Sequence, residues 1–290
     1  MDQLNETSDI HLIGEQYSHA EGEITPEFLE SKQDILKMIE IAKTSMGLND
    51  DAIELPRVLP ANPDEMETSC YIPYGNIIFL HPEHYGDVET FAHELGHFFR
   101  DQLAPADAKY LKNDRLSGIV DEFFGELGEM YFRLICLDTE YEDRFDCISP
   151  LDFYSNPTKL RELIQDRIDD MDKLNLEEMD DETYAAAIQE YRIEAWHYLG
   201  QAAAELYVKR TPFGVENFPE LCKMHVVDLF NNVVAPFKQR MQLSGIELST
   251  LTSNIINRSI IAPQRKRIET LMALCHNYKL QVLTALMYHV

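Results

Sequence analysis

The motif HExxH at residues 93–97 constrains this chain more than any other feature of its sequence. Apolar residues recur at helical spacing around the motif, and Asp87 is a plausible cap for a helix that runs to about residue 100. On a helix His93 and His97 lie one turn apart on the same face, so both imidazoles can bind one Zn²⁺ ion. Glu94 sits beside that ion without being a ligand and can act as a general base. The alternative is an amphipathic helix with two surface histidines, and a third ligand decides between them.

A second predicted helix, over residues 117–137, offers that third ligand. Glu122, Glu126, Glu129 and Arg133 recur at helical spacing and therefore share one face. On the functional interpretation Glu122 is the third zinc ligand, and Glu126, one turn further on, hydrogen-bonds a ligating imidazole. The alternative interpretation is a solvated outer face.

HExxH on one helix and ExxxE on the next resembles the gluzincin clan of zinc metallopeptidases. Residues 71–99 are especially similar to the ImmA/IrrE-like and minigluzincin members, and the resemblance covers about residues 65–137. It implies one Zn²⁺ per chain held by His93, His97 and Glu122. The second motif, EFFGELGE, departs from the Ala/Asn-rich form usual in the family, and no attached DNA-binding helix-turn-helix is seen.

The resemblance also implies where substrate binds. It makes the segment with Ile77, Ile78, Phe79 and Leu80 the edge strand that pairs with an extended substrate. Hydrolysis needs a donor for the developing oxyanion. Four residues are candidates, and the sequence does not choose among them: Arg133, Tyr131, Tyr71 and Tyr154.

The remaining chain is predicted to be α+β and mostly helical. Thr25 and Pro26 begin a helix, residues 49–68 are connecting chain, and a hairpin turns at residues 74–76. Further helices are expected over residues 158–175, 181–209, 216–243 and 264–288. We therefore predict three parts: a loose segment (1–24), a small zincin-like metallopeptidase unit (25–149) and an all-helical unit for substrate recognition (150–290).

Charge and composition restrict the partners. The chain has 51 acidic and 25 Lys and Arg residues, a net charge of −26, so nucleic acid would be repelled. No apolar run reaches the length of a membrane span. Five cysteines without a CxxC pair suit a reducing compartment. We expect a cytoplasmic protein, or one exported without a signal peptide as an effector or toxin.

These features predict a zinc endopeptidase that acts on one or a few specific proteins, because residues 150–290 exceed what catalysis needs. Such an enzyme would be a regulatory protease in its own cell or an effector acting on another cell's protein. The alternative is a catalytically weak, zinc-containing binding or regulatory protein whose helical half recognises a partner. A third interpretation is a helical protein with an accidental motif.

Overall fold

A computed structural model describes most of the first half of the chain and part of the second. The described residues are 20–49, 52–66, 68–105, 114–145, 158–160, 162–163, 165–166, 197–211 and 213–243. Tyr154 and the predicted helix 264–288 lie outside them, as do much of the predicted helices 158–175 and 181–209.

The described residues form an α+β structure that is mostly helical, with one small sheet. The helices are α1 (Pro26–Met46), α2 (Val88–Leu103), α3 (Asp114–Ile135), α4 (Asn217–Cys222), α5 (Val226–Leu229) and α6 (Ala235–Leu243). Residues 197–210 are also helical and are called the 197–210 helix, and Phe230–Val234 forms a π-helical turn. The strands are β1 (Arg57–Pro60), β2 (Cys70–Ile72) and β3 (Ile77–Leu80). Within this described part, no helix has the length and apolar character needed to cross a membrane.

Two helices begin at their predicted caps. The hydroxyl of Thr25 accepts the N–H of Phe28 at 3.2 Å and starts α1. The carboxylate of Asp87 accepts the N–H of Thr90 at 3.2 Å and starts α2, which continues to Leu103, three residues beyond its predicted end. Local capping chemistry thus fixes where the motif-bearing helix begins.

The sheet has the strand order β1-β3-β2, which corrects the expected edge strand. The segment Ile77–Leu80 is the central strand: β3 pairs in parallel with β1 and in antiparallel fashion with β2, and all four of its residues are buried. Both of its edges are occupied, so it cannot accept a substrate strand. The hairpin between β2 and β3 is confirmed.

The partner that covers β3 comes from residues 49–68, which we expected to be connecting chain. Pro60 ends β1 at the sheet margin, a place where a missing N–H is tolerated. Residues from the segment expected to be loose also pair there: Gly22 donates to the carbonyl of Pro60 at 2.8 Å, and Asn62 donates to Ala20 at 2.8 Å. In the described part of the chain, β2 is therefore the edge without a neighbouring strand.

Helices α2 and α3 pack backbone to backbone because both carry glycine at their crossing. A Cβ atom on Gly128 would lie 2.6 Å from the Cα of Gly96 and 2.7 Å from the carbonyl oxygen of Ala92. No side chain fits between the helices at this point. The close approach brings the HExxH face of α2 against the acidic face of α3.

One hydrophobic core contains residues from both sides of the predicted boundary at residue 149. Tyr131 of α3 stacks on Phe218 of α4, with ring centroids 4.7 Å apart. Arg100 of α2 donates to the carbonyls of Cys222 (2.6 Å) and Met224 (3.0 Å). A continuous helix over 216–243 would use those carbonyls for its own hydrogen bonds, and the structure instead has short helical pieces.

Candidate metal centre

Three side chains from three helices converge on one point. The Nε2 atom of His93 lies 3.4 Å from Oε2 of Glu122, and the Nδ1 atom of His197 lies 2.9 Å from the same oxygen. Ligand atoms of the three residues all lie within 4.8 Å of one another, so the group could hold a metal ion. Two imidazoles and a carboxylate are typical zinc donors, and donors on one tetrahedral zinc are about 3.3 Å apart for bonds of about 2.0–2.1 Å.

The group differs from the predicted ligand set by one histidine. His93 and Glu122 were expected, whereas His197 belongs to the 197–210 helix, in the half predicted to be accessory. His97 packs beside His93, with ring centroids 4.9 Å apart, and lines the same cleft, but it is not a member of the group of three. No sequence spacing connects His197 with the HExxH motif, so only the fold reveals its position.

Two glycines make room for the converging side chains. A Cβ atom on Gly125 of α3 would collide with the imidazole ring of His93. A Cβ atom on Gly200 would collide with Cβ of Glu122, so the 197–210 helix rests directly on α3 at the carboxylate-bearing residue. Close packing of three helices, rather than a loop, therefore positions the group.

The imidazole of His93 is oriented by Glu129, not by Glu126 as the sequence interpretation expected. Its Nδ1 atom lies 2.9 Å from Oε1 of Glu129, which leaves Nε2 to face Glu122. On an α-helix Glu129 lies about 20° from Glu122 around the axis and Glu126 about 40°. Glu129 therefore projects in a direction closer to that of Glu122 than Glu126 does.

Glu126 has a different environment. Its Oε2 atom is buried and has no hydrogen-bond partner. Burial, together with the negative charge of Glu129, raises the pKa of Glu126 to about 7. Glu126 therefore adjoins the site without holding an imidazole.

The predicted general base, Glu94, is fixed to the sheet. Its Oε2 atom accepts the backbone N–H of Tyr71, in β2, at 2.7 Å. Burial raises the pKa of Glu94 to about 7, although the positive charge of His93 acts in the opposite direction. A carboxyl group with a pKa near neutrality can both accept and return a proton.

The charged groups of the candidate site shift one another's pKa values. Burial alone would lower the pKa of His93, but hydrogen bonds with Glu122 and Glu129 raise it well above its ordinary value. Burial would raise the pKa of Glu122, but hydrogen bonds from His197 and His93 hold it well below its usual range. Burial and the charge of His93 lower the pKa of His97 to about 4, so this imidazole is neutral and can donate an electron pair at neutral pH.

The four predicted oxyanion donors differ in where they lie and in what they contact. Tyr71 lines the cleft, but its hydroxyl donates to Asp101 at 3.0 Å. Arg133 forms an ion pair with Glu89. Tyr131 is fully buried in the hydrophobic core and does not line the cleft, which contradicts its candidacy, and Tyr154 is outside the described residues.

The group opens into a cleft of about 810 Å³ between β2, α2, α3 and the 197–210 helix. The lining is rich in carboxylates: Asp87, Glu89, Asp101, Asp121 and Glu129. The guanidinium of Arg100 also reaches the lining, although it is bound to two backbone carbonyls. Tyr198, which the sequence interpretation did not select, lines the cleft next to His197.

Comparisons with protein-family models, with curated proteins and with solved structures find no match to this chain. What the protein does is therefore inferred from the residues of the cleft and from the motif on α2.

Proposed function

We propose that the protein is a zinc-dependent endopeptidase that hydrolyses peptide bonds in one or a few specific proteins. The observation that carries the proposal is the convergence of His93 and Glu122 on one point, with the carboxylate of Glu94 on the same helix one residue from His93. The resemblance of residues 65–137 to gluzincins supports the same conclusion.

The residues present suit a zinc ion. His93, Glu122 and His197 would hold it and leave a fourth position for water, while His97 of the motif lies beside His93. All three are nitrogen or oxygen donors of the kind that zinc prefers. A zinc ion bound there would polarise the scissile carbonyl and make water a nucleophile at neutral pH.

The chain's own groups supply proton transfer and orientation. Glu94 would accept a proton from the attacking water and pass it to the leaving amine. The N–H of Tyr71 keeps the Glu94 carboxylate in place, and Glu129 keeps the His93 ring in place. Both supports reduce the reorganisation needed during reaction.

An extended substrate would pair with β2 rather than β3. β2 is the uncovered edge in the described part of the chain, and its residues Cys70 and Tyr71 line the cleft beside Glu94. Backbone pairing gives affinity with little sequence preference. Contacts from the 197–210 helix, through His197 and Tyr198, would narrow the range of substrates.

The test is a proteomic comparison of newly formed protein termini in cells that express the wild type, Glu94→Gln or His93→Ala. We expect the wild type to generate new termini, Glu94→Gln to bind as much zinc but generate none, and His93→Ala to lose both zinc and cleavage. Glu83→Gln, an exposed position outside the cleft, is the matched control and should behave as wild type. New termini that persist unchanged in Glu94→Gln would disprove the endopeptidase.

The second candidate is a catalytically weak, zinc-containing binding or regulatory protein. For this candidate His97, which packs beside His93, would be the fourth ligand, because structural zinc sites fill all four positions with protein ligands. For this candidate, a partner would associate equally with the wild type and Glu94→Gln, and neither would cleave it.

A further inference from the structure

We propose that His84 binds a carbonyl oxygen of the substrate backbone and so supplies a hydrogen-bond donor that the edge of β2 does not itself offer. This inference rests on the proposed function and names a substrate-binding residue of the same cleft. His84 lies between β3 and α2, on a single 3₁₀ turn (Pro82–His84), and is not a member of the metal-binding group.

The outward-facing N–H groups of the β2 edge are already occupied, beginning with that of Tyr71, which donates to Glu94 at 2.7 Å. Residues of an antiparallel strand alternate between facing the partner strand and facing away from it, so Ser69 and Pro73 face the same way as Tyr71. The N–H of Ser69 donates to Nδ1 of His84 at 3.4 Å, and Pro73 has no N–H. This edge can therefore accept hydrogen bonds through its carbonyl oxygens but offers no N–H to a substrate carbonyl.

The contacts of Ser69 determine which nitrogen of the His84 ring carries the proton. A backbone N–H can only donate, so Nδ1 of His84 accepts from Ser69. The hydroxyl of the buried Ser69 also lies 3.0 Å from Nδ1, and because it accepts the N–H of His81 at 3.0 Å, its own proton is available to the ring. A neutral imidazole whose Nδ1 accepts has its proton on Nε2. His84 is therefore an N–H donor at Nε2.

This donor belongs to the cleft. The half-buried ring of His84 lines it together with Ser69 and Tyr71. Among the residues that the structure describes, none accepts a hydrogen bond from Nε2 of His84. The lining also contains the carboxylates of Asp87 and Glu89, which disfavour a negatively charged acceptor. A neutral backbone carbonyl of an extended substrate is therefore the acceptor that fits.

The strand positions also indicate which substrate carbonyl would meet His84. The proposed general base is held at Tyr71 and His84 is held at Ser69, two strand positions away, which corresponds to about 6.8 Å. An extended substrate beside β2 has nearly the same spacing between its residues. The carbonyl that accepts from Nε2 therefore belongs to a residue about two positions from the scissile bond.

The test measures the binding of hydroxamates to the full-length protein loaded with Co²⁺, whose visible absorption reports ligand exchange. Acetohydroxamate reaches only the metal, whereas the acetylated tri-alanine hydroxamate and a malonyl hydroxamate of di-alanine amide extend to opposite sides of it. We expect His84→Leu to weaken the binding of one peptide probe by about 2- to 12-fold, the value of one hydrogen bond, and to leave that of acetohydroxamate unchanged. His84→Gln, which keeps an N–H donor near the position of Nε2, should bind as wild type. Glu83→Gln, an exposed neighbour outside the cleft, is the matched control and should also bind all three probes as wild type.

Nitrogen NMR of the zinc-loaded wild type gives a second readout, which does not depend on the folding of a variant. The peptide probe that His84 recognises should shift the Nε2 resonance of His84, and acetohydroxamate should not. A resonance that no peptide probe shifts would contradict the proposal.

The outcomes distinguish this inference from the proposed function. If His84→Leu binds both peptide probes as the wild type does, or loses affinity for acetohydroxamate to the same extent, His84 does not bind a substrate carbonyl, and the peptidase proposal survives. The same holds if neither peptide probe binds the wild type more tightly than acetohydroxamate. If the wild type fails to bind stoichiometric Co²⁺, the metal centre is wrong and this inference falls with it.

Discussion

The Nδ1 atom of His93 lies 2.9 Å from Oε1 of Glu129, and this contact leaves only Nε2 of the ring to face Glu122. A carboxylate bound to the distal nitrogen fixes the tautomer of an imidazole and makes it a stronger donor. The helix that brings Glu122 to the candidate site therefore also orients His93, through Glu129, which lies seven positions after Glu122.

We expect Glu129→Gln to weaken zinc affinity by about 10- to 100-fold, because the amide keeps the shape of the side chain but not its charge. Competition with a chromophoric chelator at neutral pH measures the change. Glu126→Gln is the matched control on the same helix and should leave the affinity nearly unchanged. A larger loss in Glu126→Gln than in Glu129→Gln would show that the sequence-based assignment of Glu126 was correct.

Glu126 should affect stability through its proton. Its pKa rises from 4.5 to about 7 on folding, so the folded protein binds this proton more tightly than the unfolded chain. The contribution of Glu126 to the free energy of unfolding is thus fully present below about pH 4.5 and is lost as the pH rises through about 7.

The corresponding measurement is thermal unfolding of metal-free protein at several pH values. We expect the Tm of Glu126→Gln, relative to that of the wild type, to increase between pH 4.5 and about 7, because glutamine has no proton to lose. A difference in Tm that stays constant with pH would show that the buried Glu126 carboxyl has an ordinary pKa.

Local signals predicted much of the fold around the motif. The caps at Thr25 and Asp87 and the hairpin of β2 and β3 follow from short-range chemistry, and the structure has them. The position of Glu122 opposite His93 follows from helical spacing and from the expectation that the two helices pack together.

Features that depend on distant parts of the chain were missed. The parallel pairing of β1 with β3 joins residues 20 positions apart. Three prolines in and near β1 made its segment resemble connecting chain in the sequence. His197 reaches Glu122 across 75 residues because Gly200 permits close helix packing, and no period of the sequence records that contact. The role of Glu129 was missed for a simpler reason. Glu126, one helical turn after Glu122, was expected to contact the imidazole of His93, whereas Glu129, seven positions after Glu122, makes that contact.

The crossing of α2 and α3 should tolerate no side chain at Gly128. A methyl group there would lie 2.6 Å from the Cα of Gly96, and neither backbone can move without displacing the HExxH face. We expect Gly128→Ala to reduce the free energy of unfolding by about 1–3 kcal/mol. Urea unfolding of metal-free protein measures this loss.

The control for that variant is Leu134→Ala on the same helix, where the side chain is partly exposed. Leu134→Ala should change the free energy of unfolding by no more than about 0.5 kcal/mol, as most surface substitutions do. Equal losses in the two variants would mean that the helices do not approach as closely as the structure has them.

Arg100 should be a principal link between the two halves of the described chain. It lies on the motif-bearing helix and donates to the carbonyls of Cys222 and Met224, while its guanidinium stacks 5.0 Å from the ring centroid of Phe124. Arg100→Met keeps the bulk of the side chain but leaves two carbonyls without this donor, so we expect a loss of at least about 2 kcal/mol in the free energy of unfolding.

Arg57→Gln is the control, because the ion pair of Arg57 with Glu21 is long and solvent-exposed and should contribute below about 1 kcal/mol to the free energy of unfolding. If Arg100→Met unfolds in a single urea transition at the wild-type midpoint, the link does not stabilise the protein; an earlier or divided transition would confirm that the halves depend on it.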